Sequence, residues 1–165
     1  MRLPVICSVL LLGGLLAFSA QPAMAQEAEH ENGEEWAEEG RHELGLFLGI
    51  TTKEGETGVS VGLDYEYRLS RLFGIGGVAE YTGADFREGL LGVPFYWHAW
   101  KELKLVAAPA VEIEPAERSG EFVVRLGGEY GFPVRSGTEI APALYFDVSS
   151  EDVAVVVGAT VATSF

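Results

Sequence analysis

The chain ends with the stretch 152-DVAVVVGATVATSF-165, which predicts a β-strand. Side chains alternate between the two faces of a strand. One face of this stretch carries Val153, Val155 and Val157 and ends at the aromatic residue Phe165, whereas the other face carries small residues such as Gly158. The last strand of a membrane-spanning barrel needs this form, because it closes the cylinder against lipid and places an aromatic side chain at the boundary with water.

The same alternation recurs upstream of this stretch, in runs that are separated by short breaks. The eight runs are residues 42–51, 57–69, 72–82, 89–99, 103–114, 121–132, 138–148 and 152–165. Each is long enough for a tilted strand to cross a bilayer, which takes about 10 residues. Eight strands are also enough to close a small barrel, so the pattern predicts a single all-β domain.

The two faces of the runs differ in the same way along the whole chain. One face carries large apolar and aromatic side chains and no charge, from Leu44 in the first run to Phe146 in the seventh. The other face carries glycine and alanine together with polar residues, namely Glu43, Asp64, Glu66, Arg68, Glu80, His98, Lys104, Glu112, Arg125, Glu129, Glu139 and Asp147. Eight strands enclose only enough space for side chains to fill. We therefore expect the charged face inside, where salt bridges of Arg68, Lys104 and Arg125 close the lumen, and the apolar face in lipid.

The breaks between the runs indicate how the barrel lies in the membrane. Tight turns are predicted at residues 70–71, 100–102 and 133–137, and loops at residues 52–56, 83–88, 115–120 and 149–151. An even number of strands with both chain ends in the periplasm places the tight turns there and the loops outside. Aromatic residues gather at this periplasmic rim: Tyr67, Phe73, Trp97, Trp100, Phe132 and Phe165. Such a girdle is typical of a membrane interface.

On the alternating runs and the terminal Phe165, residues 42–165 resemble the small bacterial outer-membrane barrels typified by the membrane domain of outer membrane protein A. The resemblance implies an eight-stranded antiparallel up-and-down transmembrane β-barrel in a Gram-negative outer membrane, with a structural or surface-interaction role and no cofactor. It also implies that the barrel assembly machinery reads the last strand. We expect outer-membrane lipid as the other partner and a monomer. The long surface loops that usually carry adhesion in that family are missing here.

The residues before the barrel divide into two predicted segments. Residues 1–25 read as a cleaved signal peptide, with Arg2 as its positive region and Ala23-Met24-Ala25 as its cleavage site. The only cysteine, Cys7, leaves with this peptide, which excludes a disulfide. Residues 26–41 read as an acidic, partly disordered periplasmic spacer. Within it, His30 and its neighbouring glutamates do not make a defined metal site, and Trp36 is expected at the barrel rim or the membrane interface.

Charge and motif content exclude several classes of function. The formal net charge of −14 argues against nucleic acid as a partner, because phosphate binding needs basic patches. Glu112 and Glu114 share a face and invite an acid–base interpretation, but salt bridges are the stronger expectation for carboxylates in a narrow barrel. Neither His42 nor His98 has a serine two residues on. The sequence therefore predicts no catalytic, cofactor-binding or metal-binding residue, and no enzyme.

Three prolines conflict with this interpretation, since Pro94, Pro109 and Pro142 lie inside predicted strands. Each removes a backbone donor, and a closed barrel has no free edge on which a proline is harmless. We expect β-bulges to absorb them.

Two alternatives belong to other functional classes. One is a soluble periplasmic, lipocalin-like barrel that binds an apolar ligand, which requires the apolar face to point inward. The other is a small pore, which requires a wet lumen.

Overall fold

The structure is a computed structural model that describes residues 40–83, 87–114 and 119–165. The predicted signal peptide lies outside these residues, as does nearly all of the acidic spacer with His30 and Trp36. In the described ranges, no helix is long and apolar enough to cross a membrane.

Ten strands build the described part of the chain. They are β1 (His42–Lys53), β2 (Glu56–Arg68), β3 (Phe73–Thr82), β4 (Glu88–Gly92), β5 (Phe95–His98), β6 (Leu103–Glu114), β7 (Ser119–Tyr130), β8 (Phe132–Arg135), β9 (Thr138–Val148) and β10 (Val153–Ser164). Two of the eight predicted runs are divided: β4 and β5 share one position in the barrel wall, and β7 and β8 share another. Both β4 and β5 pair with β3 and β6, and both β7 and β8 pair with β9.

The sheet closes on itself through its first and last strands. β1 and β10 pair antiparallel from Glu43 opposite Ser164 to Thr52 opposite Val155. Next to this ladder, the His42 N–H donates to the Phe165 carbonyl at 3.2 Å, and the Phe165 N–H donates to the His42 carbonyl at 2.8 Å. All other neighbouring strands are antiparallel as well. The prediction of an all-β, eight-stranded antiparallel up-and-down transmembrane barrel is confirmed.

Some predicted turns are longer than those in the structure. β1 and β2 continue until Lys53 pairs with Glu56, so that only Glu54 and Gly55 connect them. Both connecting residues have positive φ, 52° and 90°, as a tight two-residue hairpin turn requires. The expected turn at residues 133–137 is also too long, since β8 extends to Arg135. In both places, backbone hydrogen bonds between neighbouring strands extend the strands into residues that the sequence assigned to a loop or turn.

The two faces of the wall point as the alternation predicts. Large apolar side chains on β1 to β10 are exposed on the outer surface, for example Leu48, with 63% of its area accessible. Lys104, Arg125 and Glu129 are buried on the inner face. Since the charged groups lie inside and the apolar groups outside, the structure has no apolar lumen of the kind that a lipocalin-like protein uses.

The prolines do not need the bulges that we expected. The register between β3 and the divided strand is the same on both sides of Pro94, from Gly92 opposite Val78 to Phe95 opposite Ile75. Pro109 and Pro142 lie in continuous strands, opposite Val124 and Ala159. That expectation was therefore wrong, and the register shift lies elsewhere, between Pro133 and Arg135.

Pro94 and Pro109 each keep one backbone hydrogen bond to the neighbouring strand, which explains how the wall tolerates them. The Val93 N–H donates to the Pro109 carbonyl at 3.0 Å, and the Gly76 N–H donates to the Pro94 carbonyl at 2.9 Å. A hydrogen-bonded antiparallel pair exchanges two N–H···O bonds, so a proline removes one bond and its carbonyl keeps the other. The backbone therefore stays in register at the cost of one donor per proline.

Candidate functional site in the barrel interior

Both chain ends of the described barrel, Gly40 and Phe165, lie at one end of the cylinder, which we call the terminal end. The other end, where β1 meets β2 and β9 meets β10, is the loop end. Inward-facing side chains form ionic groups at different depths between these ends.

The group nearest the terminal end is centred on Lys104, at the start of β6. Its ammonium Nζ lies 2.7 Å from Glu43 Oε1, 3.3 Å from Glu129 Oε2 and 3.6 Å from Glu66 Oε2. The three carboxylates come from β1, β7 and β2, and each sits at an inward position of its strand. We call Lys104 and these glutamates the Lys104 cluster. One buried cation thus faces three buried acids contributed by different parts of the wall.

Two further residues contact the acids of the Lys104 cluster. His98 Nε2 lies 2.6 Å from Glu66 Oε1, and the Arg68 guanidinium lies 3.7 Å from Glu43 Oε2. Glu66 Oε2 makes no hydrogen bond, and its ion pair is the 3.6 Å contact with Lys104. An isolated buried carboxylate is costly, and the cations Lys104 and Arg68 lower that cost for the cluster.

A second group is centred on Arg125 of β7, deeper in the barrel towards the loop end. Its guanidinium donates to Asp147 at 2.7 Å and 2.8 Å, and to Glu80 at 2.7 Å and 3.2 Å. Asp147 lies directly opposite Arg125 on the neighbouring strand β9. Glu80 belongs to β3, which is not adjacent to β7, so the Arg125–Glu80 contact crosses the interior. Bidentate contacts of this kind fix both geometry and charge.

Aromatic side chains fill the space around these ions. The Tyr145 O–H donates to Glu129, and the Tyr145 ring lies 5.0 Å from the Arg125 guanidinium carbon. The Tyr96 O–H donates to Asp64, and its ring centre lies 5.3 Å from Lys104 Nζ. Cation–π attraction adds to the ion pairs at these distances.

Sequence reasoning missed this aromatic layer. It described the inner face by its small and charged residues and passed over Phe47, Tyr96 and Tyr145, which are buried. The alternation does place Phe47 on the inner face, because it lies two residues from both Gly45 and Gly49 in the same strand.

A third group lies at the loop end. Lys53 Nζ is 3.2 Å from Glu112, 3.6 Å from Glu88 and 3.6 Å from Asp152. Glu112, which the sequence singled out together with Glu114, is thus an ion-pair partner of Lys53. Lys53 itself was missed, because the prediction assigned it to a loop.

A cavity of about 10 Å³ lies between the Lys104 cluster and the loop end, lined by Phe47, Asp64, Arg125 and Tyr145 among others. A buried water needs at least about 10–15 Å³ of such volume and several polar partners. This cavity therefore has room for one water molecule at most.

The arrangement offers no pair of nucleophile and base among the described residues. His42 Nδ1 is hydrogen-bonded to the Tyr65 hydroxyl at 2.8 Å, and its ring stacks on Phe165 with centroids 5.7 Å apart. His98 contacts Glu66 instead of a hydroxyl. In the same part of the chain, no group of three or more His, Cys, Asp or Glu residues is arranged to hold a metal ion. The geometry is that of packed ion pairs in which each central cation contacts two or three carboxylates.

Comparison with known proteins gives structural neighbours only. No family model and no curated protein matches the sequence. A structure from the de novo design of transmembrane β-barrels aligns with a TM-score of 0.54 and 12% identity, over 73% of this chain and 95% of that one. The designed protein TMB2.3 aligns with a TM-score of 0.51 and 10% identity, over 76% and 96%.

A natural neighbour has the same architecture. Neisserial surface protein A aligns with a TM-score of 0.50 and 9% identity, over 75% of this chain and 96% of that one. At such identities the similarity concerns the fold. The chain therefore has the fold of the small eight-stranded transmembrane β-barrels.

Proposed function

We propose that this protein is a non-enzymatic outer-membrane barrel whose lumen is closed by its own side chains, and that it serves a structural or surface-interaction role. The observation that carries the proposal is the Arg125–Glu80 contact across the interior, at 2.7 Å, beside a cavity of only about 10 Å³. A water-filled pore needs a continuous path, and the buried ion pair across the interior supports a path that side chains interrupt.

The outer surface supports the location. β1 by itself exposes a continuous row of apolar side chains, namely Leu44, Leu46, Leu48 and Ile50. The inner face of β1 has no such row. Only hydrocarbon accommodates such a wall on all sides of a monomer, since soluble proteins rarely expose large apolar patches. We assign the terminal end to the periplasm and the loop end to the outside of a Gram-negative outer membrane, with Phe165 read by the barrel assembly machinery.

The short connections at the loop end argue against adhesion through long surface loops. β1 and β2 are joined by two residues, and β9 and β10 by the residues between Val148 and Val153. The name of Neisserial surface protein A describes that neighbour as a surface protein. For this chain, a surface contact would use the strand ends and these short connections.

Planar-bilayer recording tests the closed lumen. Protein purified from outer membranes in mild detergent is added to the bilayer, and an outer-membrane porin serves as the positive control for insertion and detection. The proposal predicts no discrete conductance steps, because the Lys104 cluster and Arg125 block the water path. Reproducible steps from the wild-type protein would favour the small pore and would contradict the closed lumen.

A further inference from the structure

The terminal end of the barrel opens into a broad concavity, which we call the vestibule. It encloses about 1060 Å³ and is lined by the turns between strands, by Gly40 and by Phe165. The vestibule is far larger than the cavity of about 10 Å³ deeper in the barrel. It therefore offers binding space that the ionic groups of the lumen do not fill.

Basic residues stand on every turn that borders the vestibule. Arg71 lies between β2 and β3, Lys101 between β5 and β6, and Arg135 at the end of β8, and all three are exposed lining residues. Glu102, Glu139 and the carboxylate of Phe165 also line the space, so these three cations equal the acidic groups there, and Arg68 adds a fourth cation. This is unusual for a chain with 25 acids and 11 Lys or Arg residues.

The chain meets the barrel at a fixed point on the vestibule wall. Gly40 has φ of +86°, and a Cβ at this position would lie 2.7 Å from backbone atoms of Phe165. The next residue but one, His42, is held by two backbone hydrogen bonds to Phe165. Whatever precedes Gly40 in the chain is thus attached covalently at the edge of the basic turns.

The sequence before Gly40 has the complementary charge. Residues 26–39, QEAEHENGEEWAEE, contain seven glutamates and no lysine or arginine. Short tethers give effective concentrations of the order of millimolar, so even weak attraction suffices for binding. We infer that residues 26–39 dock in the vestibule, held by Arg71, Lys101 and Arg135. This inference does not depend on whether the lumen conducts.

Distances between spin labels test the docking. In a Cys7→Ser background, labels are placed at Ala28→Cys and Ser136→Cys, the whole chain is expressed, and the protein is purified from membranes. At low salt the proposal predicts a narrow distance distribution. In 1 M NaCl, where the Debye length is about 3 Å, the attraction is screened and the distribution broadens. For a free tether the width should rise roughly twofold, towards that of a flexible chain.

Matched variants separate docking from general effects of salt. Replacing the turn cations, Arg71→Gln, Lys101→Gln and Arg135→Gln together, should broaden the low-salt distribution as much as salt does. Arg87→Gln, an exposed cation beside β4 at the loop end, should leave it narrow. A second label pair, Leu72→Cys with Ser136→Cys, reports the barrel itself and should not respond to either change.

A distribution that is already broad at low salt, with the barrel pair unchanged, would overturn the inference. A narrow distribution that survives both 1 M NaCl and the triple substitution would overturn the assignment of the turn cations. If the triple variant does not fold, replacement of the seven glutamates by glutamine leaves the barrel sequence intact and gives the same comparison.

Discussion

Replacing Arg125 with alanine removes the cation that spans the barrel interior. The side chain is only 3% exposed, and it donates hydrogen bonds of 2.7–3.2 Å to Glu80 and Asp147. Both carboxylates stay buried after the substitution and lose their compensating charge. Removing one partner of a buried ion pair costs about 3–5 kcal/mol, mostly through the uncompensated charge that remains. We expect Arg125→Ala to lower the free energy of unfolding by about that amount.

Urea unfolding in lipid vesicles measures this change, and Arg87→Gln is the matched control. Arg87 is an exposed cation just before β4, and surface substitutions usually change stability by less than about 0.5 kcal/mol. A further variant combines Arg125→Met with Glu80→Gln and Asp147→Asn. It removes the stranded charges and should recover part of the loss. An Arg125→Ala protein that unfolds within about 0.5 kcal/mol of wild type would show that the buried carboxylates do not depend on Arg125.

Three further predictions test the wall, the lipid face and the last strand. A Cβ at Gly76 would clash with the Tyr65 carbonyl oxygen, whereas one at Gly77 would meet nothing within 4 Å. Gly76→Ala should therefore prevent refolding in a gel-shift assay, and Gly77→Ala should not. Leu48→Arg places a charge on the lipid face near mid-strand and should cost about 2–4 kcal/mol in vesicle unfolding, and an unchanged midpoint would argue against lipid contact. Phe165→Ser should reduce the amount of protein in the outer membrane, measured by immunoblot, and wild-type levels would argue against recognition of the last strand.

Much of the fold follows from period-two alternation. Because every second side chain must face lipid, the alternation determines both the strands and their faces, and it correctly placed Lys104 and Arg125 inside. The pairing of individual ions does not follow. Arg125 meets Glu80 from a non-adjacent strand, and that contact depends on the register of every ladder between them.

Residues at the strand ends and at the prolines were harder to predict. Lys53 was assigned to a loop, although its backbone continues the β1 ladder and its side chain reaches three acids. Pro109 was expected to disturb the wall, but its carbonyl keeps the hydrogen bond from Val93. Local composition does not show how neighbouring strands complete a ladder of hydrogen bonds. Predictions based on it were therefore wrong about the strand end at Lys53 and the effect of Pro109.

The most direct test of a membrane barrel with the charged face inside is a gel of the fractionated cell envelope. Samples of the outer-membrane fraction are loaded in detergent with and without boiling. We expect the protein to sediment with outer membranes and the unboiled band to migrate differently from the boiled one, because the closed sheet resists detergent until it is heated. Release of the protein into buffer without detergent, with no shift on boiling, would argue against a membrane barrel with its charged face inside.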